Sequence, residues 1–247
     1  MNQRIARVRA AMQAQGLTQM IVSDPKSVWY LTGVEVEPYE RLLALYLPVC
    51  GEPVLFLNRL FNVPNPPCKA VWHDDAQDPV AQIAGVVDAA APLGIDKEWT
   101  AKFLIPLMQH CPGTRVVLAS DCVDDCRACK DETEQTLMRE ASRINDEVNA
   151  AVKQYVRVGM TEKQVARFVD EQYLAHGCEG NSFTTIVSFG ANAADPHHEP
   201  DNTVLQPGQC VLVDMGCRKN RYCSDMTRTW FAGTPTEKQA AVHELVH

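Results

Sequence analysis

The sequence lacks any apolar run long enough to cross a membrane, and residues 1–7 lack the apolar core of a secretory signal. It also lacks a basic excess, because 31 Asp and Glu outnumber 23 Lys and Arg to give a formal net charge of −8. Nucleic-acid binders usually carry a basic face. We therefore expect a cytoplasmic protein that binds neither membranes nor nucleic acid and whose charge suits bound cations.

Internal repeats and low-complexity segments are also missing, and a disulfide framework is not expected. Ten cysteines in a chain without a leader are better interpreted as reduced thiols. Three of them, Cys122, Cys126 and Cys129, have the spacing of a radical-SAM iron–sulfur motif. That motif belongs on an early loop of a barrel, whereas here it lies at a domain junction. Iron-dependent visible absorbance would favour this alternative.

Helical and extended patterns alternate through the first half of the chain. Apolar residues at helical spacing over residues 5–12 predict a first helix that ends at Gly16. Strands and further helices are then predicted in turn, which is typical of an α/β domain. We place this domain at residues 1–126, with strands over residues 18–23, 41–49, 53–58, 92–95 and 115–118 and helices over 78–90 and 103–110.

The second domain, residues 127–247, is predicted to begin with a helix over residues 132–156. A capping-box pattern, Thr161 to Gln164, opens the next helix. Strands then dominate, and the result is expected to be an incomplete α+β domain. Its predicted strands cover residues 183–189, 210–217 and 222–231, and Thr236 caps a last helix.

An acidic hairpin is the most informative feature of this domain. Two apolar-rich strands flank the polar link 218–221. A turn centred on Lys219 and Asn220 would make Asp214 and Asp225 direct cross-strand neighbours, with Cβ atoms about 5 Å apart. A one-residue bulge would break this register.

Two carboxylates in such positions repel each other, and a divalent cation between them removes that cost. Hard carboxylate oxygens suit Mn²⁺, Mg²⁺ or Ca²⁺ and also accept Zn²⁺ or Co²⁺. The alternative is that one aspartate caps a turn or faces solvent. Because Asp214 follows the apolar residues 211–213, a buried position that needs a partner is expected for it.

A loop with two histidines precedes the hairpin. A strand runs into the Gly-, Asn- and Pro-rich residues 190–200, which include His197, His198 and Glu199. Surface histidines are common, so this loop taken alone is a weak indication of a site.

Together these segments resemble the pita-bread family of prolidases, aminopeptidase P, methionine aminopeptidases and creatinase. The resemblance covers residues 132–236 and is carried by Ser-Phe-Gly-Ala-Asn (188–192) with Pro-His (196–197), by the run 207–216, and by Tyr-Cys-Ser-Asp-Met-Thr-Arg-Thr (222–229). Residues 1–126 resemble the N-terminal domain of the creatinase and prolidase branch. Since methionine aminopeptidases lack that domain, the resemblance favours an Xaa-Pro dipeptidase.

The resemblance implies a role for each matching residue. Asp214 and Asp225 match two aspartate ligands of a pair of divalent ions, with manganese expected first and cobalt or zinc as alternatives. His197 matches a catalytic histidine that binds substrate and stabilises the tetrahedral intermediate. In a two-metal site, a water held between the ions becomes the nucleophile. A proline-containing peptide is the implied substrate, and a homodimer is expected.

The family takes a further histidine and two glutamates, one of them the general base, from a second half of the fold. We therefore expect the 247-residue chain to be a C-terminally truncated form that binds metal weakly and lacks peptidase activity. Two alternatives stay open. The chain could act as a non-catalytic binding or dimerisation module, or as a creatinase-like amidohydrolase without metal, although the aspartate pair disfavours the latter.

Overall fold

The structure, a computed structural model, describes residues 3–246. The chain forms two compact units, Met1–Cys129 and Lys130–His247. The division lies slightly later than the boundary expected after residue 126, because the last helix of the first unit includes Cys126 in its core. Among the described residues, no helix is long and apolar enough to cross a bilayer.

The first unit is built on a mixed sheet of six strands. The strands are Gln19–Val22 (β1), Ala44–Pro48 (β2), Val54–Asn58 (β3), Lys69–His73 (β4), Leu93–Ile95 (β5) and Val116–Leu118 (β6). Their order in the sheet is β4-β3-β2-β1-β5-β6. β1–β2 and β2–β3 are antiparallel, whereas β3–β4, β1–β5 and β5–β6 are parallel.

Helices cover both faces of this sheet, and every residue of the central strand β1 is buried. Side chains of a strand alternate between faces, so Met20 and Val22 join one core cluster while Ile21 joins the other. The predicted α/β class is confirmed for this unit. Its helices are Gln3–Ala14 (α1), Pro25–Thr32 (α2), Pro79–Ala84 (α3), Ala101–His110 (α4) and Asp121–Ala128 (α5).

Three elements of this unit, α2, β4 and α5, are absent from the prediction, and α3 is shorter than predicted. The signal for α2 was present, since the Asp24 side chain accepts from the backbone N–H groups of Lys26 and Ser27, and Pro25 stands at the first helical position. α5 buries Cys122 and Cys126, and burial raises the pKa of both thiols. The radical-SAM alternative is disfavoured because two of its three cysteines, Cys122 and Cys126, are buried in this helix rather than presented on an open loop.

The second unit places two helices against two small antiparallel sheets. The elements are Glu132–Tyr155 (α6), Glu162–Ala175 (α7), Gly180–Asn181 (β7), Ile186–Phe189 (β8), Cys210–Met215 (β9), Cys217–Lys219 (β10), Tyr222–Cys223 (β11), Met226–Phe231 (β12) and Glu237–Val246 (α8). The strand orders of the sheets are β12-β9-β8 and β11-β10-β7. Valines of α6 and α7 pack on the buried face of β9, which carries Val211, Val213 and Met215.

A fully buried amide joins the helices to β9. The Nδ2 of Asn145 on α6 donates to the Met215 carbonyl over 3.1 Å, and the Tyr173 hydroxyl on α7 donates to the Asn145 Oδ1. Burial also raises the pKa of the Tyr173 hydroxyl well above its ordinary value, so the phenol stays a donor. The carboxyl end of β9, next to Asp214, is therefore fixed to both helices.

Candidate active site

The acidic hairpin turns one residue later than the sequence suggested. Asn220 and Arg221 both adopt left-handed backbone conformations, with φ of 49° and 72°. Two successive left-handed residues form the tight turn that suits a twisted hairpin. Lys219 pairs with Tyr222 as a result, and the hairpin is centred between Asn220 and Arg221.

This turn makes the predicted cross-strand pairing wrong. Asp214 lies opposite Thr227 and Ile186, the latter on β8, and Asp225 immediately precedes β12. The register differs from the expected one by two residues. Since side chains alternate with a period of two, such a shift is compatible with both carboxylates on one face, as diagonal rather than direct neighbours.

Asp214 is less buried than predicted. It lies on the more open face of β9, where residues alternate with the fully buried Val211, Val213 and Met215. The Thr227 hydroxyl donates to the Asp214 Oδ1 over 2.7 Å. This bond holds the orientation of the carboxylate while leaving most of its acceptor positions for other partners.

Asp225 is exposed, and the backbone just before it is tightly constrained. The Ser224 N–H donates to the Cys217 carbonyl over 2.9 Å, and the Ser182 hydroxyl donates to the Ser224 carbonyl over 2.8 Å. A Cβ added at Gly216 would lie 2.0 Å from that Ser224 oxygen. Gly216 therefore permits the close crossing that sets the position of Asp225.

His197 lies on an exposed loop after a short 3-10 helix, Gly190–Ala194. Its backbone N–H donates to the Asp195 Oδ1 over 2.9 Å, which forms a local turn. The neighbouring His198 is partly buried and contacts a different group, because its Nε2 lies 2.7 Å from the Oε2 of Glu162.

Glu162, which the sequence analysis did not single out as a site residue, is the buried acidic side chain of this region. Its side chain is 0% exposed and stands at the first position of α7, where the helix dipole favours a carboxylate. The capping box at Thr161, which is confirmed, locates the helix start. A single sequence gives no sign that the next residue is buried.

Glu162, His198 and Asp201 form the one group of three His, Cys, Asp or Glu residues within 3–246 whose ligand atoms lie within 4.8 Å of one another. The group contains none of the predicted residues Asp214, Asp225 and His197. Hydrogen-bond donors already surround the Glu162 carboxylate. We therefore interpret this group as a hydrogen-bonded network rather than a metal centre.

Comparison with known proteins agrees with this architecture. Residues 4–129 match the model of the creatinase/prolidase N-terminal domain, and residues 136–247 match that of metallopeptidase family M24. The chain belongs to metallopeptidase family M24. It is thus a hydrolase of peptides from a family that binds divalent metal, and the predicted combination of an N-terminal domain with a pita-bread domain is confirmed.

Individual relatives cover nearly the whole chain. The dipeptidase PepE of Mycobacterium ulcerans is 31% identical, with a TM-score of 0.90 over 98% of this chain and 67% of its own. A prolidase of Thermococcus sibiricus is 26% identical, with a TM-score of 0.91 over 98% and 68%. An uncharacterized peptidase of Staphylococcus haemolyticus is 29% identical over 98% of this chain and 70% of its own.

Proposed function

We propose that the protein is a metal-dependent peptidase that cleaves Xaa-Pro bonds, with Asp214 and Asp225 as metal ligands and His197 as a catalytic residue. The observation that carries the proposal is the hairpin of β9 and β12, which orients the Asp214 carboxylate through Thr227 and fixes the backbone before Asp225. The similar prolidase structure supports the Xaa-Pro class, and the similar dipeptidase structure supports a dipeptide as the substrate.

The chemistry of the donor set fits a divalent cation. Asp214 and Asp225 offer hard oxygen ligands, and the hydroxyl of Thr227 supplies the outer hydrogen bond that commonly orients a ligating carboxylate. When bound, divalent ions would supply Lewis acidity and lower the pKa of a coordinated water. Manganese as the native metal, with cobalt or zinc as alternatives, and a cytoplasmic homodimer complete the proposal.

The residues of the chain itself would orient the substrate. His197 is exposed at the loop surface, where its imidazole is accessible to a peptide. A ring N–H there would donate to the oxygen on which negative charge develops, and preorganised donors of this kind act mainly in the transition state. The hairpin and the loop are joined through β8, which pairs with β9 and leads directly into the loop.

Substrate specificity is tested by comparing two dipeptides that differ at one residue. The full-length protein loaded with Mn²⁺ is expected to hydrolyse Ala-Pro with a kcat/KM at least about tenfold above that for Ala-Ala, a difference of roughly 1.4 kcal/mol in transition-state binding. Chromatographic detection of released proline and alanine measures both rates.

The same assay separates the alternatives. Equal cleavage of Ala-Ala would leave a metallopeptidase but refute the Xaa-Pro specificity. Hydrolysis of creatine without added metal, in place of either dipeptide, would indicate an amidohydrolase. Turnover of none of these substrates by folded, metal-loaded protein would favour a binding or dimerisation module.

A further inference from the structure

The loop that carries His197 has few packing contacts of its own. From Gly190 to Val204 no side chain is buried, although Phe189 and Leu205 at its two ends are. Apolar burial therefore cannot determine the conformation of this segment. Polar contacts with the start of α7 take that role.

Glu162 makes four of these contacts through one carboxylate. Its Oε1 accepts from the Phe189 N–H over 2.7 Å and from the Asn192 Nδ2 over 3.0 Å. Its Oε2 accepts from the His198 Nε2 over 2.7 Å and from the Asp201 N–H over 3.1 Å. A carboxylate has about four acceptor positions, so donors from this loop and from Phe189 at its start occupy all of them.

The partners of the His198 ring also favour one of its tautomers, because a carboxylate only accepts hydrogen bonds. A lone pair on the His198 Nε2 would face the Glu162 carboxylate, so this nitrogen must carry a hydrogen. Asn192 lies 3.2 Å from the same nitrogen, and that contact cannot then be a hydrogen bond. Its two amide hydrogens instead point to Glu162 and to the Thr203 hydroxyl, which is 3.2 Å away.

The backbone completes the attachment. The Glu162 and Lys163 N–H groups donate to the Thr203 and Asp201 carbonyls over 3.2 and 3.1 Å. These helix N-terminal donors have no partner within α7, so the loop satisfies them while α7 anchors the loop.

We propose that Glu162 is a positioning residue that fixes the loop of residues 189–201 and thereby places His197. This inference rests on the proposed role of His197 in the reaction. Glu162 acts from behind the loop, because its carboxylate is fully buried and its acceptor positions are all occupied. It would influence catalysis only through the residues it holds.

The test replaces Glu162 by glutamine, which keeps the size of the side chain but turns one oxygen into a donor. Two of the four loop donors would then face an N–H₂ group. Hydrogen exchange followed by mass spectrometry is expected to show at least about tenfold faster exchange in residues 189–201, since a tenfold change corresponds to losing about one hydrogen bond. Exchange in α6 should be unchanged.

Glu147→Gln is the matched control. Glu147 also faces a histidine, with its Oε2 3.5 Å from the His176 Nε2, but both side chains are partly exposed. It should alter neither exchange in the loop nor activity. If Glu162→Gln prevents folding, His198→Ala removes one of the four bonds, and a smaller increase in exchange confined to the same loop is expected.

A double-mutant cycle on Ala-Pro hydrolysis by the full-length protein tests the link to His197. Glu162→Gln alone should lower kcat/KM by about 10- to 100-fold, because a misplacement of a catalytic group by about 1 Å can cost about 100-fold. In a His197→Ala background, Glu162→Gln should lower kcat/KM by less than about twofold, because the side chain that Glu162 positions is already absent.

The proposal would be overturned if Glu162→Gln and His197→Ala lowered kcat/KM independently of each other. It would also be overturned if Glu162→Gln left hydrogen exchange in residues 189–201 unchanged. Mn²⁺ binding could instead be abolished by both Glu162→Gln and His198→Ala but not by Asp214→Asn. That result would overturn the proposal and identify the group of Glu162, His198 and Asp201 as a metal site. If His197→Ala keeps full activity, the proposed role of His197 fails, and the exchange measurement alone then decides whether Glu162 fixes the loop.

Discussion

Replacing Asp214 or Asp225 by asparagine should reduce kcat/KM for Ala-Pro by at least roughly 100-fold in the full-length protein. Loss of a group that only hydrogen-bonds a metal ligand already costs about 10- to 100-fold. Asp214 and Asp225 are the proposed ligands themselves. The fold should survive. In Asp214→Asn the amide oxygen can still accept the Thr227 hydroxyl, and Asp225 is exposed. Steady-state rates at saturating Mn²⁺, with thermal melting of each variant, measure both effects.

Asp146→Asn serves as the control for these substitutions. Asp146 is exposed on α6, and its loss of charge should leave the rate within about twofold of the wild type, as is usual for surface substitutions. A variant at Asp214 or Asp225 that matched this control in rate would show that the residue is not a ligand. A variant that lost activity and also melted at a clearly lower temperature would indicate a structural role for the residue instead.

Gly216→Ala is expected to have the largest effect on stability. The added Cβ would lie 2.0 Å from the Ser224 carbonyl oxygen and 2.3 Å from the Ser182 Oγ. The nearer atom belongs to the backbone, so the strand crossing must move. Overpacking usually costs about 1–3 kcal/mol, and we expect a loss of about 3 kcal/mol or more in the free energy of unfolding here.

Urea unfolding of the 247-residue chain measures this loss, and Gly85→Ala is the control. Gly85 has an ordinary helical φ of −65°, and a Cβ there would come no closer than 3.4 Å to a neighbour. That variant should change stability by less than about 1 kcal/mol. Similar stability of the two variants would show that the crossing at Gly216 is not rigid.

A destabilised Gly216→Ala should also lose metal-dependent activity, because the displaced Ser224 carries Asp225 with it.

The sequence predicted the elements whose signals are local. Thr161 and Gln164 form the expected capping box, and the long helix α6 and the strands β9 and β12 lie within their predicted ranges. Patterns of helical period and strand alternation arise within one element, so they can be recognised without knowledge of its neighbours.

The features that escaped prediction depend on contacts between elements. The hairpin register was wrong because Arg221, a residue with no special preference for a left-handed backbone, shares the turn with Asn220. Glu162 was missed because its burial comes from a loop 27 to 39 residues later in the chain. His197 stays a prediction that rests on the family resemblance, and Asp214 and Asp225 stay predictions that rest on that resemblance and on the acidic hairpin.

Removal and return of the metal test the central claim, that Asp214 and Asp225 bind the ion on which Xaa-Pro hydrolysis depends. The full-length wild-type protein, stripped by a chelator and dialysed, should lose Ala-Pro hydrolysis and regain it on titration with Mn²⁺. Asp225→Asn, treated in the same way, should need at least about tenfold more Mn²⁺ or fail to recover, because a ligand has been lost. Stripped protein that keeps its activity, or Asp225→Asn that recovers at the same Mn²⁺ concentration as the wild type, would contradict the assignment.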